Sequence, residues 1–152
     1  MTSTTESTAR PGRGRPRATP RRLAAVWSLW AGFTSLSYVG VEPDALNPAA
    51  VLIPGVSLAV AWALVALTLA VGAALPPVPG LVGRVGRVAR AAGITVLAGL
   101  LGAWAATYVF DTIMGDGGRM WVSGKNYAAL AVAAAASAAH IARYRPHKEG
   151  AL

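Results

Sequence analysis

Residues 56–75 read VSLAVAWALVALTLAVGAAL, a run with no charge, amide or proline on any face. An α-helix rises about 1.5 Å per residue, so this stretch alone covers roughly the ~30 Å of a bilayer's hydrocarbon layer. A helix of a water-soluble domain needs a polar side, and none can be drawn here. Working outward, three more apolar stretches flank it, and transmembrane helices are expected at about 23–41, 49–75, 91–111 and 126–143. Charged residues are 13% of the chain, against roughly 25% in ordinary soluble domains. The fold class expected is all-α, an integral membrane bundle of four transmembrane helices.

The formal charge of +8 acquires a meaning once it is mapped. Arg10, Arg13, Arg15, Arg17, Arg21 and Arg22 precede the first span; Arg84, Arg87 and Arg90 separate the second and third; Arg143, Arg145 and Lys148 follow the fourth. Only Arg119 and Lys125 lie in the other connections, where Glu42, Asp44, Asp111 and Asp116 also fall. Cytoplasmic loops carry the excess of Lys and Arg, so both termini are expected inside, in a bacterial cytoplasmic membrane. Topology thus accounts for the charge without nucleic acid as a partner. The abundance of Arg, Ala, Gly, Val and Pro fits a GC-rich genome, which weakens arguments from composition alone. Cysteine is absent, which removes disulfides, thiolate metal sites and cysteine nucleophiles together.

Residues 1–22 contain little that could pack and are expected to form a disordered basic cytoplasmic tail. The transmembrane domain then occupies 23–143, and 144–152 form a second short basic tail. No small-residue cleavage site follows the first apolar run, so it reads as an uncleaved signal anchor. Trp27 and Trp30 near the inner end of that span, and Trp121 in the last outer loop, are placed as interfacial anchors. Asn47-Pro48 offers a cap and a first helical residue, and Pro54 either kinks the second helix or marks its start. Pro76-Pro77-Val78-Pro79-Gly80 ends it. Between 81 and 90, Arg84, Arg87 and Arg90 fall on one side of a helical wheel, with Leu81, Val82, Val85 and Val88 opposite. A short amphipathic interfacial helix on the lipid headgroups, before the third span and running on into it, is the expected result. A glycine-rich outer loop is expected over 111–125.

On the third helix Thr95, Ala98, Gly99, Gly102 and Ala106 recur at three- and four-residue spacing, with Ala91 one turn earlier. In lipid no hydrophobic drive pulls helices together, so small side chains that let backbones approach are a main source of association. They are expected to pack helices three and four, either together or across a boundary between copies in a homo-oligomer. Ionisable residues at membrane depth would be the first functional candidates. Only Asp111 and His140 come close, and both lie at span ends, near opposite faces. Asp111 and Asp116 are a poor cation pair, and no HExxH, nucleophile elbow or phosphate loop is present, so no metal, cofactor, catalytic residue or enzymatic activity is expected.

One tail motif stands apart. Arg13-Gly14-Arg15-Pro16 matches the Arg-Gly-Arg-Pro core of the AT-hook, whose extended arginines enter the narrow minor groove of A·T-rich DNA. A cytoplasmic anchor calls for the same residues.

The run Arg119-Met120-Trp121-Val122-Ser123-Gly124-Lys125-Asn126-Tyr127, leading into an apolar last helix over 119–142, resembles small uncharacterised multi-pass membrane proteins of actinobacteria and their phages. That resemblance implies a source and no activity. The expected role is a membrane protein acting by self-association or partner binding among lipids, in its most specific form a holin-like permeabiliser. The alternatives are a small channel or transporter, and a membrane tether holding DNA or a cytoplasmic protein through the tail.

Overall fold

The computed structural model of the chain describes residues 19–39, 55–114 and 120–143. They form four helices: α1 Pro20–Ser37, α2 Gly55–Ala74, α3 Leu81–Met114 and α4 Met120–Arg143. No strand occurs among the described residues. The tail motif, Asn47-Pro48 and residues 115–119 lie outside them.

Local chemistry sets the helix limits. Thr19 caps α1, its side chain accepting from the Arg22 N–H, and Pro20 occupies the first helical position, where a missing N–H does no harm. α2 is described from Gly55 onward, and Pro54, read as its kink or its start, lies outside the described residues. Beyond the proline cluster, Gly80 adopts φ +95°, a left-handed conformation that suits glycine, and redirects the chain into α3.

The amphipathic segment Leu81–Arg90 is the opening of one unbroken 34-residue helix, running straight on into the third apolar stretch. Nothing between residues 81 and 114 interrupts the backbone hydrogen bonding, so the segment has no hinge at which to turn away. The outer loop is shorter than expected, because α3 continues through Asp111 to Met114 and α4 already starts at Met120. Of the four helices, α2 through Ser57–Ala74 and α3 are long and apolar enough to cross a membrane.

The helices run alternately up and down, each against its chain neighbour. Along the α1–α2 seam a side chain of α1 donates to a carbonyl of α2 every seven residues. Arg21 reaches Ala73 O at 2.8 Å, Ser28 reaches Ala66 O at 2.8 Å, and Ser35 reaches Ala59 O at 2.8 Å. Ala24 and Ala31, fully buried, fill the positions between. This is a heptad seam in which small residues bring the backbones close and hydroxyls bond across the gap.

Aromatic rings occupy the centre. Trp30 and Trp62 meet edge to face at 5.4 Å, Trp62 and Trp104 at 6.1 Å, and Trp104 and Tyr38 at 6.4 Å. The Trp104 indole N–H donates to Tyr38 Oη at 3.0 Å. α4 joins through Tyr127, stacked on Tyr108 at 5.5 Å, and through Ser137, whose hydroxyl accepts from the Trp27 indole N–H at 3.1 Å.

The described helices carry large apolar side chains outward as well as inward. Leu29 is 65% exposed, Phe33 71% and Leu67 63%, while the polar groups of Ser35 and Trp104 turn inward to partners. Scattered apolar residues are normal on soluble proteins, but continuous apolar helix faces are not.

Candidate functional site at the basic end of the bundle

The most organised polar chemistry lies where α2 ends. A helix leaves its last four carbonyls without intrahelical donors. At α2 the sequence deepens that deficit. Prolines at 76, 77 and 79 stand four residues after Gly72, Ala73 and Leu75, and a proline has no N–H to give. Two arginines fill the vacancy. Arg90 of α3 donates through Nη1 to Gly72 O and, at 3.5 Å, to Leu75 O. Arg21 of α1 donates through Nε to Ala73 O and through Nη2 to Ala74 O at 3.2 Å. Cations at a helix C-terminus also complement its dipole, so charge and hydrogen bonding act in the same direction.

Close approach makes the Arg90 arm possible. A Cβ on Gly72 would lie 2.7 Å from Arg90 Cγ and 2.9 Å from its backbone nitrogen, so α2 and α3 touch there only because residue 72 has no side chain.

The predicted headgroup arginines therefore divide. Arg84 and Arg87 are exposed on α3, but Arg90 is only 4% exposed and faces protein. The wheel grouped them because three-residue steps stay within one broad arc. The structure resolves that arc into an outer part and an inner row formed by Gly83, Gly86, Arg90 and Gly93. A run of glycines at three- and four-residue spacing containing an arginine was the available signal. Arg21, read only as a topology residue, is the one sequence reasoning missed; its signal was a basic residue in the first turn of a helix facing a proline-terminated partner.

The remaining predicted residues are dispersed. Trp27 and Trp30, expected as interfacial anchors, turn toward the bundle: Trp27 is buried with its N–H on Ser137, and Trp30 is half-buried against Trp27 and Trp62. Trp121 is exposed at the start of α4. Within the chain, the stripe of Thr95, Ala98, Gly99, Gly102 and Ala106 is not the seam between α3 and α4. Thr95, Gly99 and Ala106 are exposed, and a Cβ on Gly99 or Gly102 would meet nothing within 4 Å. α3 instead buries Leu97, Leu101, Trp104 and Tyr108, which are larger and fill the centre. Gly124 of α4, packed on Val109 and Tyr108, supplies the close contact in that seam. Asp111 and His140, both half-buried, lie near opposite ends of the bundle. Among the described residues no three His, Asp or Glu side chains gather as a metal site.

Arg21, Arg22, Arg84, Arg87 and Arg90 thus share one end, and Asp111, the one carboxylate among the described residues, lies at the other. Such an end attracts anions, and its burial of Arg90 fixes three helices around one helix terminus. No protein-family model, curated protein or solved structure matches this chain.

Proposed function

We propose that this chain is a multi-pass protein of a bacterial cytoplasmic membrane, with four membrane-crossing helices and both termini inside. It acts without chemistry of its own, through association of its helices with further copies or with a partner in the bilayer. The observation that carries the reading is the apolar outer surface, with Leu29, Phe33 and Leu67 outward while Ser28, Ser35 and the Trp104 indole N–H bond between helices. In hydrocarbon such a surface meets lipid, whereas in water it would expose an apolar belt. The gathering of described arginines at one end supports the same-side placement of the termini.

Holin-like permeabilisation is the most specific form of this proposal. The bundle centre is filled by Trp27, Trp30, Trp62 and Trp104, so a conducting path would have to form between copies. The open face of α3 at Gly99 and Gly102 supports contact between copies there. A tether working through the N-terminal tail is the alternative for a protein that inserts but does not permeabilise.

The test is inducible expression in a bacterium, following membrane potential, viability and carbonate extraction together. Abrupt depolarisation with growth arrest supports lesion formation. Healthy, polarised cells carrying abundant carbonate-resistant protein exclude it and leave membrane association standing. Protein released by carbonate overturns the membrane reading itself.

A further inference from the structure

The outer side of the α1–α2 seam is a groove of about 500 Å³, walled by Leu29, Phe33 and Leu36 on one helix and Ala63, Leu67 and Ala70 on the other. That volume lies within the range of roughly 300–1,000 Å³ typical of ligand sites. The floor is smooth because Ser28 and Ser35 spend their hydroxyls on α2 carbonyls, leaving almost no polar surface facing out. Arg21 and Arg22 precede Ser28 and Leu29 by seven residues, or two helical turns. They therefore sit on the same stripes of α1, about 10 Å further along, at the groove's basic end. On the facing helix, Ala73 and Ala74 continue the row of Ala66 and Ala70, and their carbonyls hold Arg21.

The charges at this end are incompletely answered. A guanidinium carries five N–H donors, and Arg21 places only Nε and Nη2 on carbonyls, so Nη1 remains for another acceptor. Arg22 is exposed, and among the described residues its guanidinium has no hydrogen-bond partner. Arg90 and Arg87 add like charge nearby, with Arg21 and Arg87 both acting on Arg90.

We infer that this groove is a binding site for an anionic phospholipid, its acyl chain lying between α1 and α2 and its phosphate held by Arg21 and Arg22. The match is one of charge and polarity along a single line. An apolar trough of two to three helical turns opens at one end on paired guanidiniums, and a phospholipid carries the same order of groups. Each arginine contributes about fivefold in preference for an anionic over a zwitterionic headgroup.

This inference rests on the membrane reading above, and its test separates the two. The full-length protein is reconstituted into vesicles of equal phosphatidylglycerol and phosphatidylcholine, extracted in mild detergent, and its retained lipids are counted by native mass spectrometry. Phosphatidylglycerol should be retained about 25-fold above phosphatidylcholine, the product of two arginines. Arg22→Ala should lower that ratio about fivefold, and Ala63→Phe, which fills the trough without touching the seam, should remove retention of both lipids. Glycerol phosphate in millimolar excess should displace neither, because it lacks the chain. Equal retention of the two lipids, or displacement by glycerol phosphate, overturns the inference while the protein stays integral. A single thiol from Ala63→Cys, in a chain with no native cysteine, gives the other check. Efficient disulfide-linked dimers would show the groove covered by a second copy and would equally overturn it. Wild-type protein that fails to enter vesicles at all would instead sink the membrane reading.

Discussion

Replacing Arg90 by Met tests whether the arginines truly substitute for backbone donors. The apolar stem is kept, so packing against Gly72 changes little, but the carbonyls of Gly72 and Leu75 lose their donor. A buried acceptor left unsatisfied costs about 1–3 kcal/mol, and Gly72 O bears this in full because Pro76 cannot replace the bond. Loss of a cation at the helix terminus adds about 0.3–1 kcal/mol. Against this, the mutation removes a buried charge repelled by Arg21 and Arg87, which offsets part of the penalty. Net destabilisation of about 1–3 kcal/mol follows. It is measured by denaturing the protein with SDS in mixed micelles and following its five tryptophans. The decisive arm is a double-mutant cycle with Pro76→Ala, which restores an N–H four residues after Gly72. In that background Arg90→Met should be milder by about 1 kcal/mol. An Arg90→Met protein within about 0.5 kcal/mol of wild type, or a penalty indifferent to Pro76→Ala, would refute the capping argument.

Three other variants probe different parts of the bundle. Gly72→Ala forces a methyl into Arg90's backbone and should destabilise by roughly 1–3 kcal/mol, whereas a neutral result in SDS titration would show that α2 and α3 are not in close contact. Ser28→Ala with Ser35→Ala removes two bonds between α1 and α2, and about 0.6 kcal/mol each is expected from side-chain bonds in membranes. Additivity of those two losses can be read from the single mutants. Gly99→Leu with Gly102→Leu meets open space, so the monomer should unfold as before while cross-linked oligomers weaken; unchanged cross-linking would remove that face from any contact between copies.

The helices themselves were legible because apolar runs and prolines mark them without ambiguity. Their orientation about their own axes was not. In 56–75 every face is apolar, so the contrast between lipid and protein that periodicity exploits in water is missing. Trp27 shows the consequence: position along the chain made it an anchor, yet its ring turns inward to Ser137. Gly99 and Gly102 show the same limit from the other side, since glycine permits close approach without saying which helix approaches. The basic end was half visible. Arg84, Arg87 and Arg90 stood out as a group, but separating Arg90 required noticing that Gly83, Gly86 and Gly93 share its row. Arg21 could be recognised only by asking where the carbonyls before three prolines find their protons.

The clasp on α2 also imposes an order on assembly. When the ribosome has released the chain only as far as residue 80, α1 and α2 can pair, and Arg21 already serves Ala73 and Ala74. Gly72 and Leu75 still wait, since their donor lies at residue 90, within the opening of α3. The α1–α2 hairpin alone therefore leaves that helix end half-capped, and only the arrival of α3, with its glycine row against α2, can complete it.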